Sequence, residues 1–239
     1  MKYHTNSAAR NQKGISLFVV LVMVLLTTLL VLWSSRTALL NELISGVDSD
    51  YQRALEAAQA MAKDAELDIK GATTSGAPCA GTHCREFGIV DVAANKAFFP
   101  TDMNEYWDMD ALLRSSAPPC IAAICIPGAN AAFDVNEFWR NATTFAAMKS
   151  KSATYGKFTG AETGSASNPL LVPSSNKAWY WVELLPYDNS ASTRGGAAKS
   201  LAPDDTTPLV YRITAIAEGV RPQTQAVVQT IFVWKRLNS

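Results

Sequence analysis

The chain begins its patterned part with a run that is apolar on every side. From Ile15 to Ser35 no side chain ionises. A helix of this run, at about 1.5 Å per residue, crosses a hydrocarbon core of about 30 Å. From Arg36 onward the pattern becomes one-sided. Leu40, Leu43, Ile44, Val47, Tyr51, Ala54, Leu55, Ala58, Ala62, Ala65 and Ile69 recur at three- and four-residue steps, which predicts one buried stripe. Glu42, Ser49, Gln52, Arg53, Glu56, Gln59, Lys63 and Glu66 fill the remaining surface. No proline interrupts Ile15 to Ala77, so one helix over 15–70 is predicted, about 80 Å long. Gly46 is its weak point, at about 1 kcal/mol relative to alanine. The Gly-Ala-Thr-Thr-Ser-Gly run at 71–76 supplies the stop.

Residues 71–177 lose this regularity. Glycine, proline, serine, alanine and asparagine predict long loops with small helices. Thr101-Asp102 followed by Glu105 is a capping signal for a short helix through Leu113, and Asp134 with Glu137 signals another. Over 178–239 the period changes to two. Ala178 to Tyr187, Pro208 to Ala217 and Gln225 to Trp234 are rich in aromatic and β-branched residues and read as three strands. Glu218 to Thr224, with Gly219 and Pro222, turns the last two into an antiparallel hairpin. Asp188 to Thr207 is a Ser/Gly/Asp-rich excursion long enough for an exposed functional loop. The fold class is therefore α+β: a long N-terminal helix, its first half (15–35) transmembrane, packed on a C-terminal antiparallel sheet.

The segment before the helix, residues 1–14, carries Lys2, Arg10 and Lys13 and no acid. These cations stay cytoplasmic, so the chain beyond Arg36 is exported across the inner membrane. A cleavable signal has an apolar region of roughly 7 to 15 residues and a small-x-small exit. Here the run is longer and Trp33-Ser34-Ser35-Arg36 is a poor exit. A plain signal anchor fits the same length and charge.

Charge adds little: Lys plus Arg and Asp plus Glu both number 21, so no global basic field points to nucleic acid. Cysteine adds more. Cys79, Cys84, Cys120 and Cys125 form two C-x4-C pairs in the exported part, where an even set implies two disulfides. Of three possible connectivities, the local pairs Cys79 with Cys84 and Cys120 with Cys125 are favoured because each staples a Gly/Pro-flanked loop, although sequence does not select among the three. A zinc site finds only His83 beside the cysteines. Asp102, Glu105, Asp108 and Asp110 lack the spacing and glycine of a calcium loop and read as a solvated helix face. Asn141-Ala142-Thr143 matches a glycosylation sequon, which is a chance match if the host is bacterial. Two histidines, His4 and His83, and the absence of a nucleophile elbow, phosphate loop or His/Glu metal motif predict a protein that is not an enzyme and takes no cofactor.

The wording of particular stretches resembles a known family. Lys13-Gly14-Ile15-Ser16-Leu17 resembles the processing site of type IV pilins and pseudopilins, where prepilin peptidase cuts after the glycine and the new N-terminal residue is methylated. The resemblance implies a cut between Gly14 and Ile15. The stretch from Leu25 to Glu66 resembles the N-terminal region of the PilX group of minor pilins. The shared features fall on Ser35 and Arg36, Glu42, the Gly46 to Asp50 segment, and the alanine-rich run Ala54 to Glu66. Trp179 to Leu185, Tyr211-Arg-Ile-Thr-Ala215 and Ala226 to Gln229 follow the order seen at the C-terminal end of such proteins. Residues 71–177 show no such likeness.

One position departs from most pilins. Their fifth mature residue is a glutamate that meets the N-terminal amine of a neighbouring subunit, and here that position is Val19. The PilX group and the secretion pseudopilin at the fibre tip often lack it too, so the absence favours a tip or initiating subunit. The resemblance implies a minor pilin that joins other minor pilins, the major pilin and a tip-associated adhesin, starts fibre growth, and supports attachment and twitching motility. A type II secretion pseudopilin and a membrane-anchored periplasmic binding domain are the alternatives.

Overall fold

The computed structural model describes residues 15–128, 137–164, 167–187, 202–203 and 208–235. Helix α1 spans Ile15–Lys70. It is followed by α2 (Met103–Leu113), two short strands β1 (Cys120–Ile121) and β2 (Ile124–Cys125), and α3 (Ala142–Lys149). Strands β3 (Ala178–Pro186), β4 (Leu209–Glu218) and β5 (Gln225–Phe232) complete the order. The chain divides into two units, residues 1–48 and 49–239, and α1 contributes a part to each.

Within the first unit, α1 is a single helix whose apolar residues are open on all sides. Ile15, Val19 and Trp33 are 68%, 46% and 76% exposed. By length and composition the helix is able to cross a membrane. Its threonines are satisfied internally. Thr27 and Thr28 donate their hydroxyls to the carbonyls of Val24 (3.0 Å) and Leu25 (2.9 Å), which removes the penalty of placing them in hydrocarbon.

In the second unit the remainder of α1 packs on the sheet. Helix α1 ends in a Schellman arrangement: Gly71, at φ +60°, donates to the Asp68 carbonyl (3.0 Å) and Ala72 to that of Leu67 (2.9 Å). The buried face is Ala54, Ala57, Ala58, Met61, Ala62, Ala65 and Ile69. Small side chains let the helix lie close to Tyr180, Val182, Leu184, Tyr211, Ile213 and Ala215, which project from one face of the sheet in the same core. The opposite face carries Trp179, Trp181 and Ile216 against Phe138, Phe145 and Met148. Strand β3 is thus buried on both faces, which is why it reads as an almost continuous aromatic and aliphatic run.

The predicted stripe differs at its first half. Leu40, Leu43, Ile44 and Val47 are exposed, because within residues 15–48 there is only the helix and no second surface to cover them, and Tyr51, in the second unit, is exposed as well. Three aspartates, Asp50, Asp64 and Asp68, take places on the buried face instead.

The sheet order is β1-β2-β3-β4-β5, antiparallel except for the β2–β3 pair. Three strands are legible in the sequence, and β1 and β2 add two from the loop region. They form a hairpin closed by Ala122 and Ala123, both left-handed (φ 48° and 66°), the conformation of a type I′ turn. The structure caps α2 with Asp102, whose carboxylate accepts from the backbone N–H of Asn104 (2.8 Å) and Glu105 (3.0 Å). Glu105 in turn accepts from Thr101. Of the second predicted helix signal, Asp134 lies outside the described residues and Glu137 precedes a 3-10 turn at Phe138–Arg140. The helix that follows is capped by Asn141, which accepts from Thr143 (3.0 Å) and Thr144 (3.1 Å), so the sequon asparagine serves as a cap. The predicted functional loop at 188–207 lies, apart from residues 202–203, outside the described residues.

Candidate functional site

Two features of α1 are chemically informative. The first is its uncovered apolar surface. Ile15 opens the helix, and Gly14 lies outside the described residues. Val19 sits within the apolar part, where it presents a branched aliphatic side chain in place of a carboxylate. Arg36 marks the end of the uncharged run, and Glu42 lies beyond it; both are exposed. An all-round apolar helix of this kind is stable in lipid or in a bundle of similar helices, and not in water.

The second feature is the row of aspartates facing the head, which hydrophobic periodicity passes over because it counts only apolar positions. They fall in phase with the alanine stripe, and that phase was the available signal. Asp50 accepts from the backbone N–H of Val220 and of Arg221, both at 2.9 Å, fastening α1 to the β4–β5 turn. These two backbone donors hold its carboxyl below the ordinary range. Gly219 leaves room for this contact: a Cβ would lie 2.5 Å from the Asp50 carboxylate and 2.7 Å from Thr224 Cγ2, so a larger residue would displace one of them.

Asp64 accepts from Gly156 N–H (2.9 Å) and from the Thr159 hydroxyl. Burial pushes its carboxyl up to about 6, against the pull of those two bonds and with a smaller push from Asp68. Gly156 is left-handed (φ +72°), and a Cβ there would collide with the Ala161 carbonyl at 1.9 Å, so only glycine presents this N–H to Asp64.

Asp68 makes the densest junction. Arg85 donates to it twice, through Nε and Nη2 at 2.7 Å each, and Tyr180 donates its hydroxyl at 2.7 Å. Arg85 also donates to the carbonyls of Ala97 and Ala122, both at 2.9 Å, and lies over the rings of Phe99 (4.7 Å) and Phe158 (3.7 Å). One guanidinium thus ties α1, the 97–99 segment, the β1–β2 turn and the 158 loop together. Burial raises the Tyr180 phenol well above its usual value, which keeps it a donor to Asp68.

The cysteines support this junction. Cys79 is bonded to Cys84, immediately before Arg85, and Cys120 to Cys125, across the β1–β2 hairpin. His83 stands beside the first pair, with ligand-type atoms of Cys79, His83 and Cys84 within 4.8 Å of one another. Both sulfurs are engaged in the disulfide and are not the thiolates a metal takes. In the acidic group at 102–110, Asp102 and Glu105 are spent on capping, and Asp110 accepts from Arg114 (2.7 Å).

A family model described as PilX N-terminal matches residues 13–61. A second, type IV pilus assembly protein PilX C-term, matches residues 94–234 and so reaches into the region where the sequence shows no likeness by inspection. No curated protein and no solved structure matches the chain. The first model covers the apolar run of α1 and Asp50, and the second covers the sheet; Asp64 and Asp68 lie between the two. The second alone spans more than half of the sequence, and the chain belongs to the PilX family of type IV pilus assembly proteins.

Proposed function

We propose that this chain is a minor pilin that acts as a structural subunit of a tip or initiation complex, priming pilus assembly and supporting adhesion and twitching motility. The observation that carries the reading is the uncovered apolar surface of α1 from Ile15 to Ser35, on a helix whose last part, from Asp50 to Lys70, is built into a folded head. Before assembly this surface lies in the inner membrane, with the N-terminus cytoplasmic. Prepilin peptidase cuts between Gly14 and Ile15, and Ile15 becomes the methylated N-terminus. On assembly the helix leaves lipid for a bundle of sister helices, and the head is carried to the fibre surface. The work is supplied from outside, since the family is a structural component of the pilus and not an enzyme family.

Val19 supports a position at the tip. A buried carboxylate is costly unless paired. A subunit with valine here makes no amine contact to a neighbour and needs none, which suits the first subunit of a fibre.

The test is to shear and purify fibres from a strain producing the chain and from one lacking it. Small amounts of the chain in wild-type fibres, and loss of piliation without it, are the expected result. Fibres that contain none of it and form normally in its absence contradict the reading. Normal piliation with lost protein secretion would transfer the chain to a type II secretion pseudopilus.

A further inference from the structure

The sheet ends differently at its two sides. At one side β1 and β2 are two residues each and cross-linked by Cys120–Cys125, so that edge is too short to receive another strand. At the other side β5 runs eight residues, Gln225–Phe232, with no charge and no proline. Its one-to-one register with β4 shows no bulge. Those are the devices by which edge strands are ordinarily protected from pairing.

The register fixes which main-chain groups are left over. Glu218 donates to Lys177 on the β3 side (2.7 Å), and Gly219 donates to Thr224 on the β5 side (2.8 Å). In an antiparallel ladder the bonding direction alternates along the strand. Tyr211, Ile213, Ala215 and Ala217 therefore exchange bonds with Phe232, Thr230, Val228 and Ala226. The N–H and C=O groups of Gln225, Val227, Gln229 and Ile231 point away from the sheet, and among the described residues none of them has a backbone partner. The side chains of Gln229 and Ile231 are exposed, Ile231 at 59%.

We propose that the free edge of β5 is a docking site for an extended strand of a second protein, which joins the sheet beside β5 through main-chain hydrogen bonds. Donors and acceptors that recur at every second residue, about 6.8 Å apart, are matched by an extended chain and by no helix. The side chains along the edge, Val227, Gln229 and Ile231, are neutral and offer no counter-ion, so the incoming strand is uncharged and β-branched where it faces them. That its owner is a co-assembling pilin subunit rests on the function proposed above; that it is a strand rests on the edge alone.

Gln229 separates main chain from side chain. Gln229→Ala and Gln229→Pro both lose the Gln229 Nε2 bond to Thr214 Oγ1 (3.0 Å), but only proline removes the outward N–H, at a position where β4 does not use it. In cells making the full chain, Gln229→Ala enters fibres like the unmodified protein, and Gln229→Pro falls about tenfold at equal cellular level. In the unmodified chain, amide exchange at Val227, Gln229 and Ile231 slows about tenfold in fibres relative to the detergent-solubilised subunit. Unchanged exchange at these amides in fibres overturns the proposal, whatever the stability of the proline variant. So does entry of Gln229→Pro at the alanine level, or cross-linking of β5 only to β5 of a second copy. Absence of the unmodified chain from fibres overturns the pilin reading and this proposal together.

Discussion

Asp64 and Asp68 are one helical turn apart on α1, and both are buried, yet they do different work. Asp68 is matched by a guanidinium and a phenol, and removing it leaves Arg85 charged and enclosed. Asp68→Ala is expected to lower stability by about 3 to 5 kcal/mol in denaturant unfolding of the full chain in detergent. A loss below about 1 kcal/mol would mean the junction is not the fastening described. Asp64 has only neutral donors, so burial dominates and its carboxyl titrates near 6. The folded state then holds a proton between about pH 4 and 6 that the unfolded chain releases. This contribution is complete below pH 4 and is lost as pH rises through 6, by about 3 kcal/mol at 1.36 kcal/mol per unit. Asp64→Asn removes the effect. The variant should gain on the unmodified chain by that amount between pH 4 and 7, whereas a pH-independent difference would contradict the assignment.

At the scale of elements, the two disulfides are placed for different exposure. Cys79 and Cys84 are half-buried in a surface loop, whereas Cys120 and Cys125 lie under the β3 aromatics with almost no exposure. A mild thiol reductant should therefore open Cys79–Cys84 first, with Cys120–Cys125 following only on unfolding. Timed alkylation with peptide mass spectrometry reads the order, and the reverse order would place the hairpin at the surface.

The same elements explain what the sequence revealed. Helix α1, the cap at Asp102 and strands β3 to β5 were legible because period, capping residues and alternation are local signals. The β1–β2 hairpin was not, since two-residue strands have no period and Ala122-Ala123 is not the Asn-Gly or Asp-Gly such a turn favours. Tertiary bonds hold that turn instead, from Ala122 N–H to the Asn95 side chain (2.8 Å), from Ala123 N–H to the Lys151 carbonyl (2.6 Å), and from Arg85. The stripe over 40–51 was legible as apolar, but which part the head covers depends on where the sheet stops. The aspartate partners, Gly156, Thr159, Arg85 and Val220, are 17 to 170 residues away, beyond the reach of any local pattern.

For the whole molecule, the proposed function places this polypeptide, with its uncovered apolar helix run and its folded head, in two surroundings in turn, lipid and then fibre. The head is held to α1 by polar fastenings at Asp50, Asp64 and Asp68 as well as by the alanine face, so it travels with the helix. In the proposed function this helix is released at its cytoplasmic end and then stacked with others. Mass spectrometry of the intact N-terminus of the chain isolated from fibres tests it most directly. The expected chain begins at Ile15 with a methylated α-amine. A chain that retains Met1, or one that begins beyond Arg36, would contradict it.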